Sequence, residues 1–307
     1  KNKVYMKLLP EKVKNKMQFN LAGIIPVAGQ PLDFNFPWHD CLVPIGQNYL
    51  AIEKAVYDCA IAGCNTIWIV CPQQMQPLIR HRLGDWILDP VKYITGAKFG
   101  NFPRTYEIPI YYVPMLPKHV DRRDCLAWSI ITGAQYSWFV GTKISRFTAP
   151  DRYFVSFPYG MFSAWWMQDE RARIRSDVPF HAIYNNKSYK DGLWLPFTFG
   201  PEDFITCRNH FRKHEAKGHD AEGNKLGPAE RYTGRYFTHD FVFSKVISEN
   251  AVTCEVPWYY DISSWDGLKR WLGSENKLDK PPKFLLSYNE WNPLGIDLEP
   301  EEKEIDD

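Results

Sequence analysis

The chain has 307 residues, 45% apolar and 24% charged, an ordinary globular composition with ample length for a large core. A net charge of +1 gives no global electrostatic case for nucleic acid or an acidic membrane, and no apolar run approaches the ~20 residues that span a bilayer. Seven cysteines, an odd number without paired spacing, suit reduced thiols in a cytosol-like compartment.

Residues 1–19 are basic and weakly patterned and read as an N-terminal arm. Residues 21–28, L-A-G-I-I-P-V-A, predict a buried strand, followed by a loop over 30–40 with two prolines. Tyr49, Ile52, Ala55, Val56, Cys59 and Ala60 recur at helical spacing, with Gly63 placed as a C-terminal cap. A second buried strand is expected over 66–70. Strand, helix and strand in this order predict a βαβ unit, in which the turn after the first strand is the phosphate position of α/β folds. A second helix is expected over 73–86, a third strand over 106–113, a third helix over 121–133, and a fourth strand over 152–157, stopped by Pro158. This alternation argues for a mainly parallel sheet.

Beyond residue 160 the pattern loosens. Asp169 and Glu170 beside Arg171 and Arg173 read as a charged helix face. Residues 192–199 predict a strand. Residues 207–234 are charged and Gly-containing and read as a surface excursion, an insertion near 205–235. Cys207, His210, His214 and His219 spell C-x2-H-x3-H-x4-H, a spacing open to zinc. Their charged neighbours favour a solvated surface without the metal. Residues 255–261 are apolar and aromatic, and 264–272 predict a short amphipathic helix opened by a serine cap. The expected domain covers 20–272, and 273–307 forms an extension ending in an acidic tail. Aromatics make up 16% of the chain and include 12 Trp, read first as core and second as a protein or sugar interface. No signal-peptide pattern, P-loop, Gly-x-Ser-x-Gly elbow or CxxC pair is visible.

The run L-A-G-I-I-P-V-A-G at 21–29, L-V-P-I-G at 42–46, the helix ending A-I-A-G-C before N-T-I-W-I-V, and P-W-Y-Y-D-I-S-S-W-D-G-L-K at 257–269 together carry a likeness. They resemble the sugar-phosphate nucleotidyltransferases, GT-A-like enzymes that make nucleotide sugars. The likeness covers roughly 20–160 and 255–272. It implies an α/β fold with a mixed, mostly parallel sheet flanked by helices, and a nucleotide or nucleotide sugar bound at the carboxyl ends of the strands. It implies that backbone near Gly23, Ala28, Gly29 and Gln30 meets base and phosphates. It further implies that Asp261 is the catalytic carboxylate holding magnesium, and that Gly192 and Trp194 line the sugar pocket.

The family's loop carries an arginine and a lysine that neutralise phosphates. Here Asp33 and Asp40 stand in their places, and Pro31 replaces a glycine. At an effective dielectric of ~20, each reversal turns attraction for a nearby phosphate into repulsion of several kcal/mol. The fourth strand ends F-V-S-F-P-Y-G without the family's metal carboxylate, so Asp261 stands alone. Arg122 and Arg123, read as opening the third helix, are the substitute cations for phosphate; facing solvent is their other reading. Two functions follow as expectations. One is a nucleotidyltransferase-like, nucleotide-binding protein with weak or no catalysis. The other is a catalytically silent structural or assembly subunit, for instance of a phage particle, with a protein partner. The first is expected in the cytoplasm and the second in a virion.

Overall fold

The computed structural model describes residues 19–29, 32, 39–98, 107–120, 122–144, 148–215, 222, 224–227, 233–246, 250–278, 280, 282 and 285–287. The fold is α/β, a mixed and mostly parallel sheet between helical layers. Strand β1 (Leu21–Pro26) is buried along its whole length. A continuous apolar run of this kind suits a strand covered on both faces.

The chain passes a small hairpin, β2 (Pro44–Gly46) and β3 (Tyr49–Leu50), and enters α1 (Ala51–Ala62). Every residue of α1 is buried. Gly63, at φ 87°, ends it, donating its N–H to Ala60 and Cys59. The return strand β4 (Thr66–Cys71) lies parallel to β1, with Ile24 opposite Trp68. The expected βαβ unit is therefore present. Next come α2 (Gln76–Leu83), β5 (Trp86–Leu88), α3 (Pro90–Lys98), β6 (Glu107–Pro114), α4 (Leu126–Ile144) and β7 (Arg152–Val155). Strand β7 lies parallel on the other side of β1, and β6 parallel beyond β4.

After β7 come β8 (Gly160–Met161), two single-turn helices α5 (Trp166–Asp169) and α6 (Arg171–Ile174), β9 (Phe180–Ile183) and β10 (Phe197–Phe199). The helices α7 (Pro201–His214) and α8 (His239–Phe243), strands β11 (Val252–Glu255) and β12 (Tyr260–Asp261), and α9 (Trp265–Leu272) complete the order. The sheet order among the described residues is β11-β9-β10-β7-β1-β4-β6-β5, with β10 and β5 antiparallel to their neighbours. Alternate residues of β1 feed two cores. Leu21 and Ile25 pack with Ile52, Val56 and Cys59 of α1. Ala22 and Ile24 pack with Trp128, Ile130 and Ile131 of α4. A third cluster, including Val43, Tyr159, Met161, Ile262 and Trp271, caps the carboxyl ends of the strands.

Several elements differ from the sequence reading. The helix expected over 73–86 stops at Leu83, because Gly84 (φ 79°, ψ −159°) turns the chain out of helical geometry. Residues 86–88 then pair antiparallel with β6. The third helix starts at Leu126 rather than residue 121 and runs on through Gly133 to Ile144. Turns at 117–120 and 122 precede it, with Arg122 and Arg123 donating their N–H groups to His119. Gly133 does not end the helix; it sits against Ile24, where a Cβ would come within 2.7 Å. The strand expected over 192–199 is reduced to Phe197–Phe199, since Gly192 closes a 3-10 turn at φ 84°. Residues 207–214, read as surface excursion, belong to α7, which buries Cys207 and Phe211 and places Arg212, Lys213 and His214 in its last turn. Basic groups there complement the helix dipole. Among the described residues no helix is long and apolar enough to cross a membrane.

Candidate functional site

From β1 the chain crosses one face through α1 to β4, while β7 is reached through α4 on the other face. The crevice beyond the carboxyl ends of β1 and β7 is therefore a topological switch point, the usual ligand position in open α/β sheets. At the end of β1, Val27 and Ala28 both donate their N–H to Val70 O at 2.8 Å, and Ala28 O accepts from the Ser129 hydroxyl. Ala28 is fully buried. Gly29 lies against the start of α4: a Cβ there would come within 3.2 Å of Leu126 N. First-turn N–H groups of a helix lack intrahelical acceptors. Gln30 and Asp33 lie outside the described residues. Gly23 sits mid-strand facing Cys59, inside the core.

Asp40 is 5% exposed and accepts from Leu32 N at 2.6 Å, tying the loop to the 3-10 turn Asp40–Leu42. The carboxylate at the family's lysine position thus serves the backbone. Arg123 makes a two-pronged ion pair with Glu215 (2.6 and 2.5 Å) and lies over the Trp128 ring at 4.5 Å. Arg122 is exposed in the preceding turn, with its carbonyl close to Gly234.

Beyond β7 the chain builds an aromatic cluster. β12 pairs antiparallel with β8, placing Asp261 opposite Gly160. Backbone crowds here: a Cβ on Gly160 would lie 2.1 Å from Trp194 O, and one on Gly267 1.8 Å from Asp261 O. Only glycine permits these approaches. Trp194 meets Phe157, Tyr159 and His239 at ring distances of 5.4, 5.6 and 4.6 Å. Its backbone N–H donates to the Tyr259 hydroxyl at 3.0 Å, and its buried indole Nε1 has no hydrogen-bond partner. His239 is buried, with Nε2 3.3 Å from Leu193 O. Burial lowers its pKa, against the opposing pull of Asp240, of its bond to Leu193 O and of Asp261. Burial raises the Tyr259 pKa, and Asp261 adds to this. Asp261 therefore stands within electrostatic reach of both groups.

Trp194 and Asp261, both singled out from sequence, come together through His239 and Tyr259. Gly192 is close in sequence, with open space where a Cβ would point. His239, Phe157, Tyr159 and Tyr259 were missed. Tyr259 sits in the quoted 257–269 segment and Phe157 and Tyr159 just after the fourth strand, but no pattern there singled out these side chains, and His239 sits in no motif. The partly exposed Trp194 and Tyr259 and a half-buried carboxylate suit a hydroxylated ring.

For magnesium the donor set is thin. Asp261 Oδ1 already accepts from Ser263 N at 2.8 Å, and among the described residues no group of three His, Cys, Asp or Glu side chains gathers to hold an ion. Divalent magnesium leans on carboxylates plus phosphate oxygens. These residues do not fit a resident ion. Of the possible zinc ligands, Cys207 is buried in the α4-side core, where burial pushes its thiol up to about 12. His210 and His214 pack ring to ring at 4.3 Å and both meet Phe241. His219 lies outside the described residues.

No protein-family model and no curated protein matches the chain. Among solved structures it is similar to a Bacillus anthracis protein assigned as a glucose-1-phosphate thymidylyltransferase, in complex with sucrose. That match has 14% identity over 85% of this chain and 98% of that chain, with a TM-score of 0.49. It is also similar to a UDP-glucose pyrophosphorylase complexed with UDP-glucose, at 13% identity over 83% and 97% of the two chains and a TM-score of 0.47. The apo form of a UDP-glucose pyrophosphorylase gives 12% identity, the same coverage and a TM-score of 0.45.

Proposed function

We propose that this chain binds a nucleotide sugar across the carboxyl ends of β1 and β7 and turns it over weakly or not at all. One observation carries the reading: at the switch point beside β7, the β12–β8 pair sets Asp261 beside Trp194, Tyr259 and His239. The sugar would lie against the partly exposed Trp194 and Tyr259, beside Asp261. The nucleotide phosphates would meet Gly29 and the N-terminus of α4, where the partial positive charge of the helix favours anions. Asp261 would orient the sugar. The weak-catalysis clause rests on Asp40 and Arg123, which bond Leu32 N and Glu215. The same two contacts favour a second reading, a silent assembly subunit that retains the cleft. Titration calorimetry with UDP-glucose and the four common nucleoside triphosphates tests binding. The expected result is binding of a sugar nucleotide, weakened about tenfold or more by Trp194→Ala, which corresponds to ~1.4 kcal/mol. An unchanged affinity in that variant, or no binding of any of these compounds to the unmodified chain, would reject the reading.

A further inference from the structure

Trp128 of α4 and Phe211 of α7, with ring centres 4.7 Å apart, make an apolar floor on which three segments meet. The turn before α4 sets His119 edge-on to Trp128 at 5.2 Å and Arg123 over the same ring. The end of α7 brings Arg212 and, just beyond the helix, Glu215. The 3-10 turn Thr233–Tyr236 touches both: a Cβ on Gly234 would lie 3.1 Å from Arg122 O and 3.2 Å from the Phe211 ring. Glu215 neutralises Arg123, and Asp124 is the other described carboxylate of these segments. Lys118, Arg122 and Arg212, all exposed, and the partly exposed Arg235 give the surface a surplus of positive charge. His119 senses it: burial first, then Arg123, Lys118 and Arg212, lower its pKa to about 4, against the pull of Glu215. Tyr236 is 68% exposed, with the Arg235 guanidinium 5.9 Å from its ring centre.

We infer that this basic patch is a docking surface for single-stranded nucleic acid. Exposed cations on three converging segments can follow a phosphate backbone and displace its counterions. Arginine suits phosphate through its paired N–H donors. The exposed Tyr236 ring decides between polyanions. An acidic peptide gains nothing from it, because an aromatic face is electronegative and repels carboxylates. An unpaired base stacks on it, and the neighbouring arginine strengthens the platform. A duplex keeps its bases stacked on one another, away from the ring. The overall charge of +1 averages this patch against acidic segments such as the tail from Glu299. None of its residues belongs to the Trp194–His239–Asp261 cluster, and the inference goes beyond the nucleotide-sugar reading without resting on it.

Fluorescence anisotropy of the full chain with labelled oligo(dT), beside a DNA duplex of the same length and poly-glutamate, tests it. At low salt the unmodified chain is expected to bind oligo(dT) more tightly than either control, with affinity falling as salt rises. The double change Arg122→Ala with Arg212→Ala should weaken binding by about tenfold or more and lower the slope of log affinity against log salt by about 1.4, at ~0.7 for each phosphate contact. Tyr236→Ala should weaken binding by about fivefold or more and leave the salt slope unchanged, since stacking releases no counterion. The three side chains are exposed, and surface changes of this kind leave the fold in place. Absence of oligo(dT) binding by the unmodified chain, equal affinity in either variant, or equal or tighter binding of the duplex or poly-glutamate overturns the inference.

Discussion

His181 on β9 is buried, its ring edge-on to Tyr189 at 5.1 Å and its Nε2 without a hydrogen-bond partner among the described residues. Burial first, then the neighbouring Lys190 and Arg152 cations, lowers its pKa to about 4. His239 is shifted the same way, with burial as the leading cause. A histidine neutral in the fold but ordinary in the unfolded chain binds its proton later in the native state. Between pH 6.5 and about 4 the unfolded state therefore carries more protons, and stability falls as pH falls through that window. Each such group contributes a slope of up to ~1.4 kcal/mol per pH unit. We expect His181→Phe to flatten the dependence of urea-unfolding free energy on pH by up to this slope. Parallel curves for the two proteins would show that His181 does not titrate as described. Of the candidate site residues, Trp194 and Asp261 were singled out in the sequence through the family resemblance, Asp261 as the aspartate that ends a strand within the 257–269 segment. His239 was not, since a lone histidine after a charged stretch carries no pattern that distinguishes burial from exposure.

At the scale of elements, α9 was the most faithfully legible helix. Ser264 precedes an amphipathic run, and its hydroxyl accepts from Gly267 N at 3.2 Å. The helix buries Leu268 and Trp271; the Trp271 indole donates to Ile45 O at 2.9 Å and stacks on Trp258. It thereby covers the cluster over the carboxyl ends of the strands and packs behind Asp261. Ser264→Ala removes the cap and should cost about 1 kcal/mol in urea unfolding, while Ser264→Asp should retain most of it. Equal midpoints for Ser264→Ala and the unmodified chain would mean that packing alone holds the helix. The misread C-terminal ends of the second and third expected helices share one cause. A glycine is a stop at position 84, where the backbone adopts φ 79°, and a packing contact at position 133, where it meets Ile24. Sequence spacing alone does not separate these two uses.

Across the whole molecule, the parallel half of the sheet was readable and the other half was not. Strands β1, β4, β6 and β7 are apolar runs separated by helices, so order and direction follow from crossover rules. Strands β9, β10 and β11 have only three or four residues, and β11 pairs with a partner about seventy positions earlier, Val252 opposite Phe180. No local period announces such pairing. The same division governs function. The switch point between β1 and β7 lies where the readable half predicts it, and two charged groups weighed for phosphate are in structural use. Asp40 holds Leu32 N, and Arg123 is neutralised by Glu215. Phosphoryl transfer depends on positioning and charge stabilisation, and one lost preorganised contact typically costs ~10²–10³ in rate. We therefore expect little or no pyrophosphate exchange with common nucleoside triphosphates and sugar phosphates, assayed in magnesium. Asp40→Lys should not rescue it, because the change places a cation at a buried position and orphans the Leu32 N–H, lowering Tm instead. Robust exchange by the unmodified chain, abolished by Asp261→Asn, would show that other cations serve the phosphates and that Asp261 is catalytic.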